Sequence, residues 1–549
     1  MGWSYSFAEI SDAEKHARRL ALDSYGLYAQ LSTLLPIAVA LVVRLAVWFS
    51  RRETTQKIAY DAVPTSPGAK YIRESTTTGS VGRVFRRISW YLGDDIYIAG
   101  KNWGRRDQFI FGGLWTVWLV FLCFMGTGND YNHLTKRFAA IGCSQFPVQY
   151  LLSLKYLNPV AYAFRSSHEE INRWHRTLGR IVYFLLAAHA VLYSNKFVQM
   201  GIVLKMSTNT TVILGLVGII SMTLPEHNGI GCVAMTLPIV IFFHVHHARL
   251  YMIESLVVIV VDIGVRKFYT VTAQAALQSI PGTDLVKITA TVSPEMAAQF
   301  KDSPGAHAYV NVPPSSRPSA NPVSPSNLVF EYIYSPFTVA GVSEDSWELT
   351  LTRRHGQGKY EIFVGHRRAV WRCEVLPQFI GVKFDRVLLF AGGVGATFTL
   401  PIYHYLSREH PLTRTEMIWA VRQPGEATWP TSELEKSILD DDHVHLYLTG
   451  NDFGPDGNGH GDSSSGADEE IELDQMHADH RRAKHAAVSN HRRPDLKKIV
   501  DDAFRQGVED RVAVLVCGPD AMARELREYV GVWAKKGRYV WWHNEGFTW

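Results

Sequence analysis

Two histidines stand fourteen residues apart in an apolar stretch, His175 and His189 in NRWHRTLGRIVYFLLAAHAVLY. On a helix this spacing corresponds to about 21 Å of rise and places both side chains within roughly 40° of the same face. Polar side chains are expensive inside a membrane and indicate function there, and imidazole is a normal axial ligand of heme iron. Either histidine alone is compatible with a satisfied polar residue, but the pair favours two stacked hemes.

Each heme held by two histidines requires a second histidine from another helix. The sequence offers His227 in TLPEHNG and the cluster His244, His246 and His247 in VIFFHVHHARLY. His227 and His244 are seventeen residues apart, which is about 25 Å of rise and about 60° away from the fourteen-residue geometry. Pro238 lies between them and can break the helix, which absorbs part of the mismatch. We predict His227 and His244 as the second pair and leave His246 open, whereas His247 is interpreted as an interfacial polar residue.

Three turns in the second half of the chain have the composition of a phosphate site. The strand DRVLLF leads into AGGVGAT and a helix, the strand TEMIWAVR follows, and the strand RVAVLVC leads into a Gly-Pro turn. Glycines let the backbone approach a ligand, helix N-termini favour phosphate, and ligands of such sheets bind at the carboxyl ends of the strands. A tight packing turn is the alternative. The predicted binding residues are Gly392, Gly393, Gly395, Thr397, Trp419, Arg422, Cys517, Gly518 and Pro519.

Two further segments surround these turns. Between residues 266 and 384, short β-rich stretches alternate with turn signals, which predicts an antiparallel barrel. These stretches are LVKITATV, AHAYVNV, VFEYIYSPFTVAG, SWELTLTRR and YEIFVG. Residues 451–493 are rich in Gly, Asp, Ser, Glu and His, a composition typical of a solvated loop rather than of a folded element.

The first half of the chain is predicted to lie in a membrane. The 549-residue sequence has 47% hydrophobic residues and a net charge of +4, which is too balanced for nucleic-acid binding through a broad basic surface. Seven apolar runs approach the ~20 residues of a membrane-spanning helix. They cover residues 31–49, 108–125, 138–154, 174–197, 211–224, 231–246 and 251–265.

The charges between the first two runs predict the orientation. Residues 51–107 contain eleven Lys and Arg against six Asp and Glu, so the positive-inside rule assigns this segment to the cytoplasm. The loop 198–210 then lies outside, where the acceptor sequence Asn209-Thr210-Thr211 is usable for N-glycosylation. After seven spans the polar half is cytoplasmic.

Taken together, these motifs resemble the fungal ferric reductase transmembrane components, relatives of the phagocyte-type NADPH oxidases. The resemblance implies that the span histidines ligate two b-type hemes, that an HPF[ST] turn binds FAD, and that GGxGxT and CGP bind NADPH. It also implies that Cys517 lies beside the nicotinamide, that Thr338 hydrogen-bonds the flavin and that a terminal aromatic segment ending at Trp549 covers it. The implied flavin-site residues are His307, Ser335, Pro336, Phe337, Thr338, Val339, Phe547 and Trp549.

The sequence departs from this family at three points. Ser335 stands where the family usually has His, and Val364-Gly365-His366 replaces a GPYG turn. Several residues are missing around TLPEHNG, which makes His175 and His189 the safest heme ligands.

The resemblance implies a fold of four segments. These are an N-terminal span with a basic loop (1–107), an α-helical heme bundle of six core spans (108–265), a β-barrel FAD domain (266–384) and an α/β Rossmann-like NADPH domain (385–549). The expected activity passes electrons from NADPH through FAD and two hemes to a ferric or cupric chelate outside the plasma membrane. A superoxide-forming oxidase, a reductase of a small organic molecule and a non-catalytic membrane partner are the alternatives.

Overall fold

The chain forms two compact units in a computed structural model, Met1–Phe268 and Tyr269–Trp549. Their boundary lies three residues beyond the predicted change of composition after residue 265. The structure describes residues 5–7, 10–58, 80–99, 101–154, 158–164, 166, 168–223, 230–280, 283, 285–311, 335–342, 348–354, 358–366, 384–430, 441–450, 492–507 and 510–546.

The described elements of the first unit are helices and one short hairpin. Its elements are α1 (Asp12–Ser32), α2 (Leu34–Ile58), α3 (Ser80–Leu92), β1 (Asp95–Ile98), β2 (Lys101–Arg105), α4 (Arg106–Phe124), α5 (Tyr131–Ser144), α6 (Phe146–Ser153), α7 (Pro159–Phe164), α8 (His168–Gln199), α9 (Val203–Ser207), α10 (Thr210–Thr223), α11 (Ile230–His244) and α12 (Arg249–Phe268).

Three helical segments within the described residues are long and apolar enough to cross a membrane, namely Asp12–Ala46, Arg106–Phe124 and Glu170–Gln199. The apolar helix Thr210–Thr223 is shorter. Many of their large apolar side chains are exposed, including Leu35, Val117 and Val191. Exposed apolar surface of this extent is typical of helices that face lipid. The chain is therefore an integral membrane protein, while the count of seven spans stays a prediction.

Two predicted spans differ from the observed helices. Residues 138–154 form two helices, α5 and α6, because Pro147 lies in the first turn of α6, where its missing N–H leaves no helical hydrogen bond unmade. The first predicted span begins within α1, and the chain passes from α1 to α2 at Thr33. The Ser11 hydroxyl accepts a hydrogen bond from the Glu14 N–H, and the Glu14 carboxylate accepts one from the Ser11 N–H. This reciprocal pair fixes the start of α1.

The second unit begins with a seven-stranded antiparallel sheet in the order β6-β5-β9-β3-β4-β8-β7. Its strands are β3 (Thr270–Ser279), β4 (Leu285–Thr291), β5 (His307–Asn311), β6 (Ser335–Thr338), β7 (Gly341–Val342), β8 (Glu348–Arg354) and β9 (Gly358–His366), with the helix α13 (Pro294–Lys301) between β4 and β5. The described parts of the predicted β-rich stretches thus contain strands, whereas residues 312, 329–334 and 346–347 lie outside the described residues. The predicted barrel is observed as an antiparallel sheet.

A five-stranded parallel sheet follows, in the order β12-β11-β10-β13-β14. Its elements are β10 (Arg386–Gly392), α14 (Ala396–Glu409), β11 (Arg414–Val421), β12 (Val444–Leu448), α15 (Leu496–Gln506), β13 (Val512–Cys517), α16 (Asp520–Lys535) and β14 (Val540–Asn544). All six residues of β13 are buried, as expected for a central strand covered on both faces. The chain order reverses between β10 and β13, and such a switch point opens a crevice at the carboxyl ends of the strands.

Candidate functional site

In the helical unit, three predicted histidine ligands share one arrangement. The Nδ1 atom of His175 lies 2.8 Å from the Gln149 carbonyl oxygen, and that of His189 lies 2.8 Å from the Thr135 carbonyl oxygen. The Nδ1 atom of His244 lies 2.6 Å from the Thr211 carbonyl oxygen. Because a carbonyl oxygen only accepts, each Nδ1 carries the proton and each Nε2 carries the lone pair.

This arrangement suits metal ligation. Histidines that bind a metal commonly donate their other ring N–H to a carbonyl or carboxylate, which fixes the tautomer and the orientation of the ring. In each case here the carbonyl belongs to a different helix from the histidine, α6 for His175 and α5 for His189. The three residues therefore fit heme ligation through Nε2.

His189 and His244 lie close enough to each other for their side chains to interact electrostatically. The His244 ring packs on α10 at Gly215, where an added Cβ would lie 2.8 Å from the ring carbon Cε1. Gly215 thus allows the ring to approach the helix axis closely. The edge of the Tyr193 ring meets the His189 ring at a centroid distance of 4.9 Å.

The other histidines considered as ligands are arranged differently. The Nδ1 atom of His247 lies 3.2 Å from the Asp23 carboxylate, and the side chain is exposed. This position agrees with the interpretation of His247 as a polar residue of the interface. His246 is also exposed. His227 lies outside the described residues. Near His175, the side-chain nitrogen of Gln149 lies 3.4 Å from Nε2.

In the second unit, the predicted phosphate turn packs directly on the turn after β13. A Cβ at Gly395 would overlap the Cys517 carbonyl group, and a Cβ at Gly392 would lie 2.6 Å from Cδ of Pro519. A Cβ at Gly518 would lie 2.6 Å from Cε of Met522 and 3.0 Å from the Gly392 nitrogen. Glycine is therefore required at these positions by turn-to-turn packing, which keeps both turns free of side chains at the switch point.

Gly393 differs from its neighbours because its φ of +55° favours glycine by conformation rather than by space. The Trp419 indole donates to the Gly393 carbonyl oxygen at 3.0 Å and is completely buried. Trp419 therefore holds the turn from within the core. The Thr397 hydroxyl donates to the Val394 carbonyl oxygen at 2.9 Å. Arg422 follows β11 and is exposed, while its backbone N–H donates to the Glu426 carboxylate.

Cys517 ends β13 and is fully buried. Burial, together with the neighbouring Glu545 carboxylate, raises the pKa of the Cys517 thiol well above its usual value. The thiol therefore stays protonated at neutral pH.

Glu545 joins two histidines within the second unit. Its two carboxylate oxygens lie 3.1 Å from Nε2 of His307 and 2.9 Å from Nε2 of His543. Burial opposes ionisation of Glu545, but the hydrogen bonds from His307 and His543 outweigh it and lower the pKa of the carboxyl below its usual range. His307 is the first residue of β5, so this cluster connects the antiparallel sheet with the segment after β14. His307 was predicted from the sequence, whereas Glu545 and His543 were not. Their only signal is their place in the closing segment WWHNEGFTW.

The predicted flavin residues lie on one pair of strands. His307 is paired with Thr338 and Ala308 with Phe337 across the antiparallel strands β5 and β6. Ser335 and Pro336 lie on the same strand, and Val339 donates its N–H to the Ala306 carbonyl oxygen at 2.9 Å. The buried Thr338 hydroxyl has no hydrogen-bond partner among the described residues. Phe547 and Trp549 lie outside the described residues.

One chain thus combines a helical membrane unit, whose anchored histidines fit heme ligation, with a parallel sheet whose glycine-lined switch point fits a dinucleotide. Residues 138–257 match the family model "Ferric reductase like transmembrane component", and residues 384–531 match "Ferric reductase NAD binding domain". These matches confirm the resemblance to fungal ferric reductases that the sequence predicted.

Relatives with curated names are similar over varying lengths. The chain is 22% identical to a probable metalloreductase AIM14 of Meyerozyma guilliermondii over 75% of this chain and 85% of the relative. It is 22% identical to the ferric/cupric reductase transmembrane component 2 of Schizosaccharomyces pombe over 65% and 75%. A probable metalloreductase AIM14 of Zygosaccharomyces rouxii is 23% identical over 48% of this chain and 52% of its own, so the chain spans about half of that relative.

Proposed function

We propose that this protein is an NADPH-dependent metalloreductase that passes electrons through FAD and two b-type hemes to ferric or cupric chelates outside the membrane. When bound, the flavin accepts a hydride and releases electrons singly, and the hemes carry single electrons. The residues described above bind, orient and shield these groups. The names of the relatives, a metalloreductase and a ferric/cupric reductase, support the choice of acceptor.

The observation that carries the proposal is the common orientation of His175, His189 and His244. Each donates from Nδ1 to the backbone carbonyl of another helix, which aims Nε2 away from that carbonyl. One such contact occurs frequently in proteins, but three of them on helices of an apolar bundle indicate a set of ligands. His189 and His244 are assigned to the outer heme, and His175 with His227 to the inner heme.

The second unit supports the use of a flavin and a nicotinamide dinucleotide. Thr338 offers a buried hydroxyl that no described residue engages, which suits a hydrogen bond to the flavin ring. The glycine turns leave backbone exposed at the switch point, where a pyrophosphate binds in such folds. Arg422 is exposed near the end of β11, and an arginine in this region of the fold accommodates the 2′-phosphate of NADPH. The protonated Cys517 packs behind the phosphate turn and contributes no charge to it.

The proposal is tested on the purified full chain and on membranes that contain it. The absorption spectrum should change on reduction as expected for b-type heme, with two hemes and one FAD per chain. Membranes supplied with NADPH should reduce a ferric chelate at a rate that superoxide dismutase does not change. A rate abolished by the dismutase would assign the protein to the superoxide-forming oxidases. Protein without heme and flavin would indicate the non-catalytic membrane partner.

A further inference from the structure

An open cleft of about 410 Å³ lies where α8 ends and α10 begins, in the helical unit. Its walls include Tyr193, Lys196 and Phe197 from α8, and Asn209 and Thr211 from the start of α10. This volume is within the usual range of small-molecule sites. The Asn209 side chain accepts from the Thr211 N–H at 2.9 Å, which fixes the first turn of α10 and with it one wall of the cleft.

The walls of the cleft contact both histidines of the outer pair. The Tyr193 ring meets the His189 ring edge-on at 4.9 Å between centroids. On the α10 side, the Thr211 carbonyl oxygen accepts from Nδ1 of His244 at 2.6 Å. A molecule in this cleft is therefore separated from the two rings by single residues.

The charge in the cleft is positive. Lys196 is the one charged residue among those that line it. Its Nζ atom lies 5.6 Å from the centre of the Tyr193 ring, and within the described part of the chain no carboxylate forms an ion pair with it. Lys136 lies close enough to interact electrostatically with Lys196, which adds to the positive potential. A half-buried cation of this kind attracts anions more strongly than an exposed one does, because water screens it less.

We propose that this cleft binds the metal chelate to be reduced and that Lys196 makes it selective for anionic, carboxylate-type ferric chelates. This assignment rests on the proposed function and specifies the chemical class of its electron acceptor. Each ferric ion gains one electron and becomes ferrous, so one NADPH reduces two chelates and leaves NADP⁺ and one proton. Dioxygen is neutral and gains nothing from Lys196.

The test compares chelates of opposite charge. The probes are ferric–EDTA, an anion, and ferrioxamine B, a cation, with gallium–EDTA as a redox-inert anion for direct binding. The variant Lys196→Gln removes the charge, Lys196→Glu reverses it and Lys196→Arg restores it. Lys205→Gln is the matched control, because Lys205 is exposed on α9 and does not line the cleft.

We expect Lys196→Gln to raise the KM for ferric–EDTA by about 5-fold and to weaken gallium–EDTA binding by the same factor, as for a partly screened ion pair. Lys196→Glu should have the larger effect, whereas Lys196→Arg and Lys205→Gln should be close to the unaltered protein. The KM for ferrioxamine B should not rise in any variant and should fall in Lys196→Glu, because a charge that repels this cation is replaced by one that attracts it. The heme spectrum should not change in any variant.

Three results would overturn the assignment of the cleft. An equal loss for both chelates, or unchanged gallium–EDTA binding in Lys196→Gln, would show that Lys196 does not select the acceptor. An altered heme spectrum in Lys196→Gln would show that the lysine supports the heme instead. The failure of the proposed function has a different signature, which is no NADPH-dependent reduction of either chelate by the unaltered protein.

Discussion

The histidine sites of the helical unit depend on side chains, whereas the glycine turns of the parallel sheet depend on the backbone. In the helical unit the reactive atoms belong to side chains, and the backbone only orients them through one carbonyl each. In the sheet the backbone itself lines the predicted phosphate site, and side chains are excluded at the glycines because the two turns touch. Substitution of a histidine should therefore remove function without unfolding the helical unit. Substitution of a turn glycine should affect function and folding together.

The largest expected effect is that of His189→Ala. We expect reduction of external ferric chelate by whole cells to fall to background, because the outer heme loses a proposed axial ligand. NADPH oxidation should persist when an artificial acceptor takes electrons directly from the flavin. The control is His246→Ala, which alters an exposed histidine nearby. Retained surface reduction in His189→Ala would remove His189 from the ligand set.

At the turn, Gly395→Ala should destabilise the second unit by roughly 3 kcal/mol, because the new methyl group overlaps the Cys517 carbonyl and the two turns must separate. The measurement is the thermal unfolding of the full chain, followed by flavin release. Gly393→Ala is the comparison, since its Cβ would meet only the Glu426 carboxylate at 3.5 Å. Gly393→Ala should therefore lower the free energy of unfolding only through the positive φ, by about 1 kcal/mol. Equal losses in the two variants would contradict the packing explanation.

A smaller effect on stability is expected at Glu545, whose interactions with His307 and His543 are again made by side chains. Glu545→Gln should lower stability at pH 7 by on the order of 2 kcal/mol, because the charge between His307 and His543 is lost. The pKa of Glu545 is lowered by folding, so its contribution is complete above the unfolded value of about 4.3 and declines as the pH falls below it.

The melting-temperature gap between Glu545→Gln and the unaltered chain should therefore narrow at pH 4. Glu409→Gln is the control, since Glu409 forms an exposed pair with Arg408 and should change stability little at either pH. A gap that is independent of pH would show that the carboxylate charge is not what matters.

The smallest effect is expected for Thr338→Val. Stability should be nearly unchanged, because the buried hydroxyl has no partner among the described residues, while flavin affinity should fall by about 5-fold through one lost hydrogen bond. Thr399→Val makes the same chemical change at another buried hydroxyl of that kind and should leave flavin binding intact. Equilibrium flavin titration of the three proteins distinguishes these outcomes.

The sequence predicted where these residues lie better than what supports them. His175 and His189 could be placed on one helix because helical spacing is regular, and Gly395 in a strand–turn–helix because glycine follows a buried strand. The carbonyl partners of the histidines could not be predicted, because every residue has a backbone carbonyl. Only the packing of α5, α6 and α10 determines which carbonyl each histidine contacts. Glu545 was missed for a similar reason, because its two histidine partners come from strands far apart in the sequence. The division of residues 138–154 into two helices was indicated by Pro147, which the apolar run obscured.

The length of α8 has a consequence for how this chain tolerates change. Its 32 residues form one uninterrupted helix of about 48 Å, longer than the ~30 Å hydrocarbon core, and His175 and His189 both lie on it. Substitutions between the two histidines leave their separation unaltered. A single inserted or deleted residue would rotate one histidine by about 100° relative to the other and shift it by about 1.5 Å, which breaks at least one carbonyl contact. Relatives that keep both sites should therefore keep the length of this segment even where its sequence differs.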